Sequence, residues 1–393
     1  MVYKRRMNKK LPKKNPAMNE SAANLLPAAN LLPTGFQDVL PPIAAAEAKT
    51  IARLMHRMEL WGYEQVKPPL LEFARGESGT PARQMFQMPD PESGQMMGIR
   101  TDMTPQVARM AALRLKAKPR PLRLSYSGQV LRVKGAGLYA ERQLAQAGAE
   151  LIGEADIAAD AEIIRLAIEA LCEAGLQEIC ADFSIPQLQR ILIAGAGEEL
   201  PDLIEKKDVV GIRRLARGET GEMLVALIAA AGDAEETFRK VKTIALPEEA
   251  RACFRQLEAL MKLLREAAIP CVLTIDPLER KGFEYHTGIA FSFFARGSTE
   301  ELARGGRYTL AGTGGDEDAV GFSIDVNALQ RALSPAQHRD RVYVPLGEDA
   351  ERLRAQDTVA VQGLAEVKDA EAEAKRLHCT HLWQGGKLVQ VAG

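Results

Sequence analysis

The sequence predicts an α+β protein with a mainly antiparallel sheet flanked by helices, and three observations lead there. Strand-like segments follow one another through loops rather than helices, first 121–133 and 142–152, later CVLTID and GIAFSFFAR. Helical periodicity is confined to separate stretches such as 42–61, 155–175 and 247–267. Apolar and charged fractions of 46 % and 26 % are those of an ordinary globular chain, so a sizeable core can form around such a sheet.

Residues 1–30 are basic and polar, contain no stretch fit for a signal peptide, and are expected to form a disordered tail. ANLLP occurs twice, at 23–27 and 29–33, too briefly to be a structural repeat. A main domain is expected over 31–335. In its first helix Ile51, Leu54, Met55 and Met58 recur at helical spacing, and Gly62 ends it. A short strand at 63–67 stops at Pro68 and Pro69. The pair 121–133 and 142–152 reads as a hairpin with a long loop, KGAGLYAE. The helix over 155–175 carries Ile164, Ile168 and Leu171 on one stripe. The stretch 181–240 reads as largely helical, with an insertion over about 185–250. In GIAFSFFAR, Ile289, Phe291 and Phe293 alternate. The glycines of ELARGGRYTLAGTGGDED read as turn-makers before an apolar segment that starts at Val320 and continues as a core helix. Residues 336–393 form a small α/β unit, with strands near RVYVPLG, TVAVQG, THLWQ and KLVQV and a helix at DAEAEAKRLH.

Composition excludes several classes. A formal net charge of −1 gives no global attraction to nucleic acid, and no basic domain stands out for tRNA. The five cysteines are scattered, with no CxxC pair, which suggests a reducing cytoplasm and neither a disulfide framework nor a zinc site. In HCTH, alternation splits His378, Cys379 and His381 between faces, so no metal is expected. No apolar run approaches the roughly 20 residues needed to span a bilayer. GTGGDED is neither a P-loop nor a dinucleotide fingerprint, and its acids would repel phosphate.

The second hairpin strand is the most informative segment. Period-2 alternation puts Arg142, Leu144, Gln146, Gly148, Glu150 and Ile152 on one face. The other face, Gln143, Ala145, Ala147, Ala149 and Leu151, suits packing against helices. A carboxylate in a pocket needs a positive or donor partner, and a small ligand carrying an ammonium would serve, with Gly148 leaving open space between Gln146 and Glu150. A solvated face with an internal Arg–Glu pair fits the periodicity equally. Arg100, Asp102 and Thr104 precede a helix, which capping alone would explain for the last two. Arg132 could grip a phosphate or carboxylate with its planar fork, or reach solvent.

These residues carry a family resemblance. SGQVLRVKGAGLYAERQLAQAGAELIG resembles motif 2 of class II aminoacyl-tRNA synthetases, and more narrowly that of histidyl-tRNA synthetase and its paralogue, the regulatory subunit of ATP phosphoribosyltransferase. GFQDVLP and YEQVKPPLLE are similar to the N-terminal entry and the dimer-forming motif 1. RTDMT resembles the amino-acid-binding RPEGT, KGFEYHTGIAF the histidine signature RGLDYY, and ARGGRY with AVGFSIDVNAL the motif 3 region. The similarity spans roughly 31–333 in the family order. It implies a class II synthetase-like sheet and a histidine pocket. Thr104, Gln146 and Glu150 match the ligands of histidine's ammonium, Asp102 replaces a glutamate, Tyr285 and Tyr308 match positions around the imidazole, and His286 replaces a tyrosine.

The departures fall on the nucleotide side. The motif 3 arginine position is Ala328 and the glycine beside the nucleotide is Asp325; the signature arginine is Lys281, and the motif 2 glutamate is Lys134, while Arg132 remains. Adenylate formation needs cations around developing phosphate charge, and losing one such group typically costs on the order of 10²–10³ in rate. The segment 336–393 is also too short and too little basic for the anticodon-binding domain of the synthetases. The resemblance therefore implies a catalytically silent cytoplasmic regulator without cofactor or tRNA. It would bind histidine through Asp102, Thr104, Arg132, Gln146, Glu150, Lys281, Tyr285, His286 and Tyr308, dimerise through motif 1, and join a short ATP phosphoribosyltransferase catalytic subunit in a hetero-oligomer for the first step of histidine biosynthesis. The rival expectations are an active histidyl-tRNA synthetase-like enzyme and a synthetase relative that modifies another acceptor.

Overall fold

A computed structural model describes residues 32–74, 84–135, 140–194, 197, 199–280, 286–296, 298–311, 315–333 and 339–391. The tail 1–30 lies outside them, as do Lys281 and Tyr285. The described residues build a nine-stranded sheet in the order 64–65, 122–131, 143–152, 317–325, 301–310, 290–295, 179–184, 271–275, 232–233. Its centre is antiparallel, from Leu122–Leu131 to Ile179–Ser184. Parallel pairing joins Glu64 to Leu124 at one end and Ile179 to Cys271 at the other.

One face of this sheet packs on helices. Ala145, Ala147, Ala149 and Leu151, with Val320, Phe322 and Ile324 from the neighbouring strand, enter one core with the helices Ile43–Leu60, Ile157–Ala174 and Glu248–Glu266. Local chemistry sets the helix ends. Asp156 caps Ile157–Ala174 by accepting from the Ala158 N–H at 2.8 Å, and Gly175 closes it at φ 115°, a conformation that favours glycine. On the opposite face Leu144, Ile152, Leu124, Tyr126 and Met103 form a smaller cluster.

The structure corrects several expectations. Glu301–Leu310 and Glu317–Asp325 are paired strands, and only Val326–Ala332 is helical. Gly305 and Gly306 thus sit inside a strand, where a Cβ at Gly305 would lie 2.2 Å from the Gly321 carbonyl oxygen. The stretch expected to be helical from Ala181 begins instead inside the strand Ile179–Ser184, whose Ile179, Ala181 and Phe183 alternate into the core. Helices then follow from Pro186–Leu192 to Ala234–Val241. Three short strands, Leu71–Phe73, Gln87–Pro89 and Met96–Ile99, make a separate sheet that periodicity did not reveal, and Phe73, Met88 and Met96 are exposed on it. Beyond residue 338, four strands in the order 359–362, 341–344, 381–384, 387–390 carry two helices, Ala350–Arg354 and Ala370–Arg376, the first of them unforeseen. Among the described residues no helix is long and apolar enough to cross a membrane, and no group of three or more His, Cys, Asp and Glu side chains is arranged to hold a metal ion.

Candidate functional site

A cavity of about 670 Å³ opens on the sheet face opposite the main helical core. Asp102, Thr104, Arg132, Gln146, Glu150, His286 and Tyr308 all line it, so seven of the nine expected residues converge. The hairpin puts Gln146 and Glu150 there by alternation, while Tyr308 and Gly321 come from the two strands beyond. Asp102 and Thr104 arrive at the start of the helix Thr104–Leu113. The Thr104 N–H donates to Asp102 Oδ1 at 2.8 Å, but the cap position of the helix is Met103 and no side chain caps it, so the capping expectation is not met.

Glu150 forms the floor. It is 1 % exposed, and both carboxylate oxygens are met by phenols: Tyr308 donates to Oε2 at 2.8 Å and Tyr126 to Oε1 at 3.1 Å. Burial outweighs these hydrogen bonds and pushes the carboxyl up to about 7. With its single O–H directed at Glu150, Tyr126 accepts from the Thr104 and Ser323 hydroxyls, each 3.0 Å away. Burial, reinforced by the neighbouring Glu150, also raises the Tyr126 phenol well above its usual range. The Met103 N–H donates to Gln146 Oε1 at 3.0 Å, which orients the Gln146 amide nitrogen as the donor toward the cavity.

Two expectations about space and charge change. Gly148 does not leave open room, because a Cβ there would meet Tyr126 Oη at 2.5 Å and the Phe322 carbonyl oxygen at 2.4 Å. The glycine that makes room for Glu150 is Gly321, where a Cβ would lie 1.8 Å from Oε2. Arg142 and Glu150 do not pair; the Arg142 guanidinium lies over the rings of Phe36 and Phe86, 5.2 and 4.7 Å from their centroids. Arg100 serves the backbone, donating to the Gln129 and Pro68 carbonyls at 2.8 and 2.9 Å. Tyr126 was missed because hairpin register, which sets it opposite Gly148, depends on a loop length that periodicity does not resolve.

The outer half of the cavity has another character. Asp325 lines it, and its carboxylate caps the helix Val326–Ala332 by accepting from the Ala328 N–H at 3.0 Å. Ala328 is 1 % exposed and belongs to the apolar core. Glu141, Glu300, Glu301, Arg304 and Arg331 complete the lining.

Helices packed on one face of a mainly antiparallel sheet, with a polar cavity on the other, define a class: this is the fold of the histidyl-tRNA synthetase type. The family model described as histidyl-tRNA synthetase matches residues 35–329. A crystal structure from Bacillus halodurans, described as an ATP phosphoribosyltransferase regulatory subunit/histidyl-tRNA synthetase, superposes with a TM-score of 0.77 at 25 % identity, covering 89 % of this chain and 97 % of that one. A histidyl-tRNA synthetase from a Nostoc species shares the fold at a TM-score of 0.75 and 16 % identity, over 92 % and 97 % of the two chains. ATP phosphoribosyltransferase regulatory subunits from Rhodospirillum centenum and Gluconobacter oxydans are 42 % and 41 % identical, over 93 % and 92 % of this chain and 97 % of each relative. The chain belongs to the ATP phosphoribosyltransferase regulatory subunit family.

Proposed function

We propose that this chain is a regulatory subunit of ATP phosphoribosyltransferase that senses free histidine in the cavity and controls a short catalytic subunit within a hetero-oligomer. The observation that carries the reading is Glu150, a buried carboxylate contacted by two phenols and raised to about 7. A ligand bearing a positive N–H donor relieves that burial most directly. Asp102 and Thr104 offer acceptors, Arg132 a fork for a carboxylate, and His286 and Tyr308 further lining, while Gln146, expected beside the ammonium, offers an amide donor instead. Lys281 and Tyr285, expected in the set, lie outside the described residues. Asp325 and Ala328 in place of the family's glycine and arginine support silence toward ATP. Exposed Leu40, Ile43, Leu70 and Phe73 in and beside the motif 1-like segments support self-association there.

Histidine would act by binding one assembly state more tightly than another, a coupling typically about 1–3 kcal/mol. Mixing the purified chain with a short ATP phosphoribosyltransferase tests the reading. Transferase turnover is expected to change on mixing and to become histidine-sensitive; a transferase equally active and equally sensitive alone overturns it. A second expectation concerns Gly321→Ala. Its methyl forces Glu150 off Tyr308, and calorimetric histidine affinity should fall about tenfold or more, the equivalent of one charge-assisted hydrogen bond.

A further inference from the structure

The outer half of the cavity is spanned by an ion bridge. Arg331, on the last turn of Val326–Ala332, donates through Nη1 to Glu141 at 2.9 and 3.0 Å. Through Nε and Nη2 it donates to Glu300 at 3.1 and 2.5 Å. The three side chains come from three separate segments: the end of the hairpin loop, the residue before the strand Glu301–Leu310, and the helix. They are 14 % to 26 % exposed, so water screens the bridge only in part. Glu141 is further held by Gln37 Nε2 at 3.1 Å and Asn327 Nδ2 at 3.4 Å. The helix thus carries a guanidinium three residues beyond Ala328, with both of its edges already occupied by carboxylates.

We propose that the Glu141–Arg331–Glu300 bridge is a specificity device: it closes the outer half of the cavity to nucleoside polyphosphates and leaves the inner half to a small cationic amino acid. The proposal deepens the reading of the cavity as an amino-acid site and rests on it. Glu301 and Arg304 of the same lining pair with each other and Arg132 acts on Asp325, so four carboxylates face three guanidiniums, two of them engaged by glutamates, and a polyphosphate entering there meets an excess of like charge. Loss of the family arginine would then be only half of the change; the other half is a cation supplied one turn later and neutralised on both sides.

The test uses the full chain, magnesium-free ATP as the probe, and histidine on the same samples. Glu141→Gln with Glu300→Gln keeps hydrogen-bond acceptors for Arg331 but removes two charges. ATP affinity is expected to rise about tenfold or more over the parent, one step of roughly 1.4 kcal/mol, and adding Arg331→Ala should reverse the gain. Histidine affinity should stay within about twofold, below the threshold of one lost hydrogen bond. Thermal melting identifies folded samples, and the single Glu300→Gln variant, expected to give a smaller gain, serves if the pair does not fold. No gain of ATP binding in folded variants overturns the bridge as a filter, whatever histidine does. Absence of histidine binding to the parent chain overturns the amino-acid reading instead, and leaves the ATP comparison interpretable.

Discussion

Glu150→Gln is expected to abolish histidine binding while making the ligand-free protein more stable at pH 8. The two effects share one cause. The folded chain holds the Glu150 proton more tightly than its ordinary value of 4.5, up to about 7. A raised acid favours the folded state below about 4.5, and that contribution is lost as the pH climbs through 7. Above that point the parent protein carries an ionised carboxylate in a buried site, at a cost on the order of 3 kcal/mol. Glutamine carries no charge to bury and still accepts from a tyrosine. Its melting temperature should exceed the parent's by several degrees at pH 8, with the gap closing between pH 7 and pH 5. For the same reason histidine should stabilise the parent and leave the variant unmoved, with affinity down at least about 100-fold, as when a buried charge loses its partner. Equal histidine affinities by calorimetry would remove Glu150 from the site.

Arg307→Ala should be the most damaging single change to the fold. Arg307 projects from the strand Glu301–Leu310 onto the first turn of Ile157–Ala174, where it pairs with Asp160. It also donates to the Glu154 and Asp156 carbonyls at 2.8 and 3.1 Å. The two side chains are 12 % and 1 % exposed. Burial raises the Asp160 carboxyl even with the guanidinium in place. Removing the arginine leaves that carboxylate without its ion partner and takes one donor from each carbonyl, of which Asp156 keeps the Ala159 N–H at 3.0 Å, and breaking one partner of such a buried pair costs about 3–5 kcal/mol. Denaturant unfolding should show this loss. Adding Asp160→Asn should recover part of it, because the orphaned charge is the larger share. A double variant as unstable as the single one would assign the loss to the carbonyl contacts instead.

Four of the seven converging site residues lie on segments with clean grammar, Gln146 and Glu150 in the alternation of RQLAQAGAELIG and Asp102 and Thr104 in the short polar approach to a helix in GIRTDMTPQ; Arg132 stood out as a cation ending an apolar strand, while His286 and Tyr308 were expected from the family resemblance alone. The motif 3 segment was misread for a physical reason. Gly305, Gly306 and Gly321 are where backbone or Glu150 approaches too closely for a side chain, and glycine ordinarily signals a turn. Val320, Phe322 and Ile324 do alternate into the core, but they run without a break into VNALQRA, so the helix signal spread backward over the strand. The Glu141–Arg331–Glu300 bridge leaves no local trace, since its members are brought together only by tertiary packing.

The rim of the cavity is stiffened by the cation held between two rings. Arg142 grips Arg132 from both sides of the backbone: the Arg132 N–H donates to the Arg142 carbonyl at 2.7 Å, and Arg142 Nε to the Arg132 carbonyl at 3.3 Å. It also donates to the Thr34 carbonyl at 3.2 Å. These bonds tie the Arg132 backbone to the residue before the neighbouring strand, so the fold itself sets where that guanidinium stems from the cavity wall. A backbone anchored in this way costs a binding partner little ordering entropy at that position.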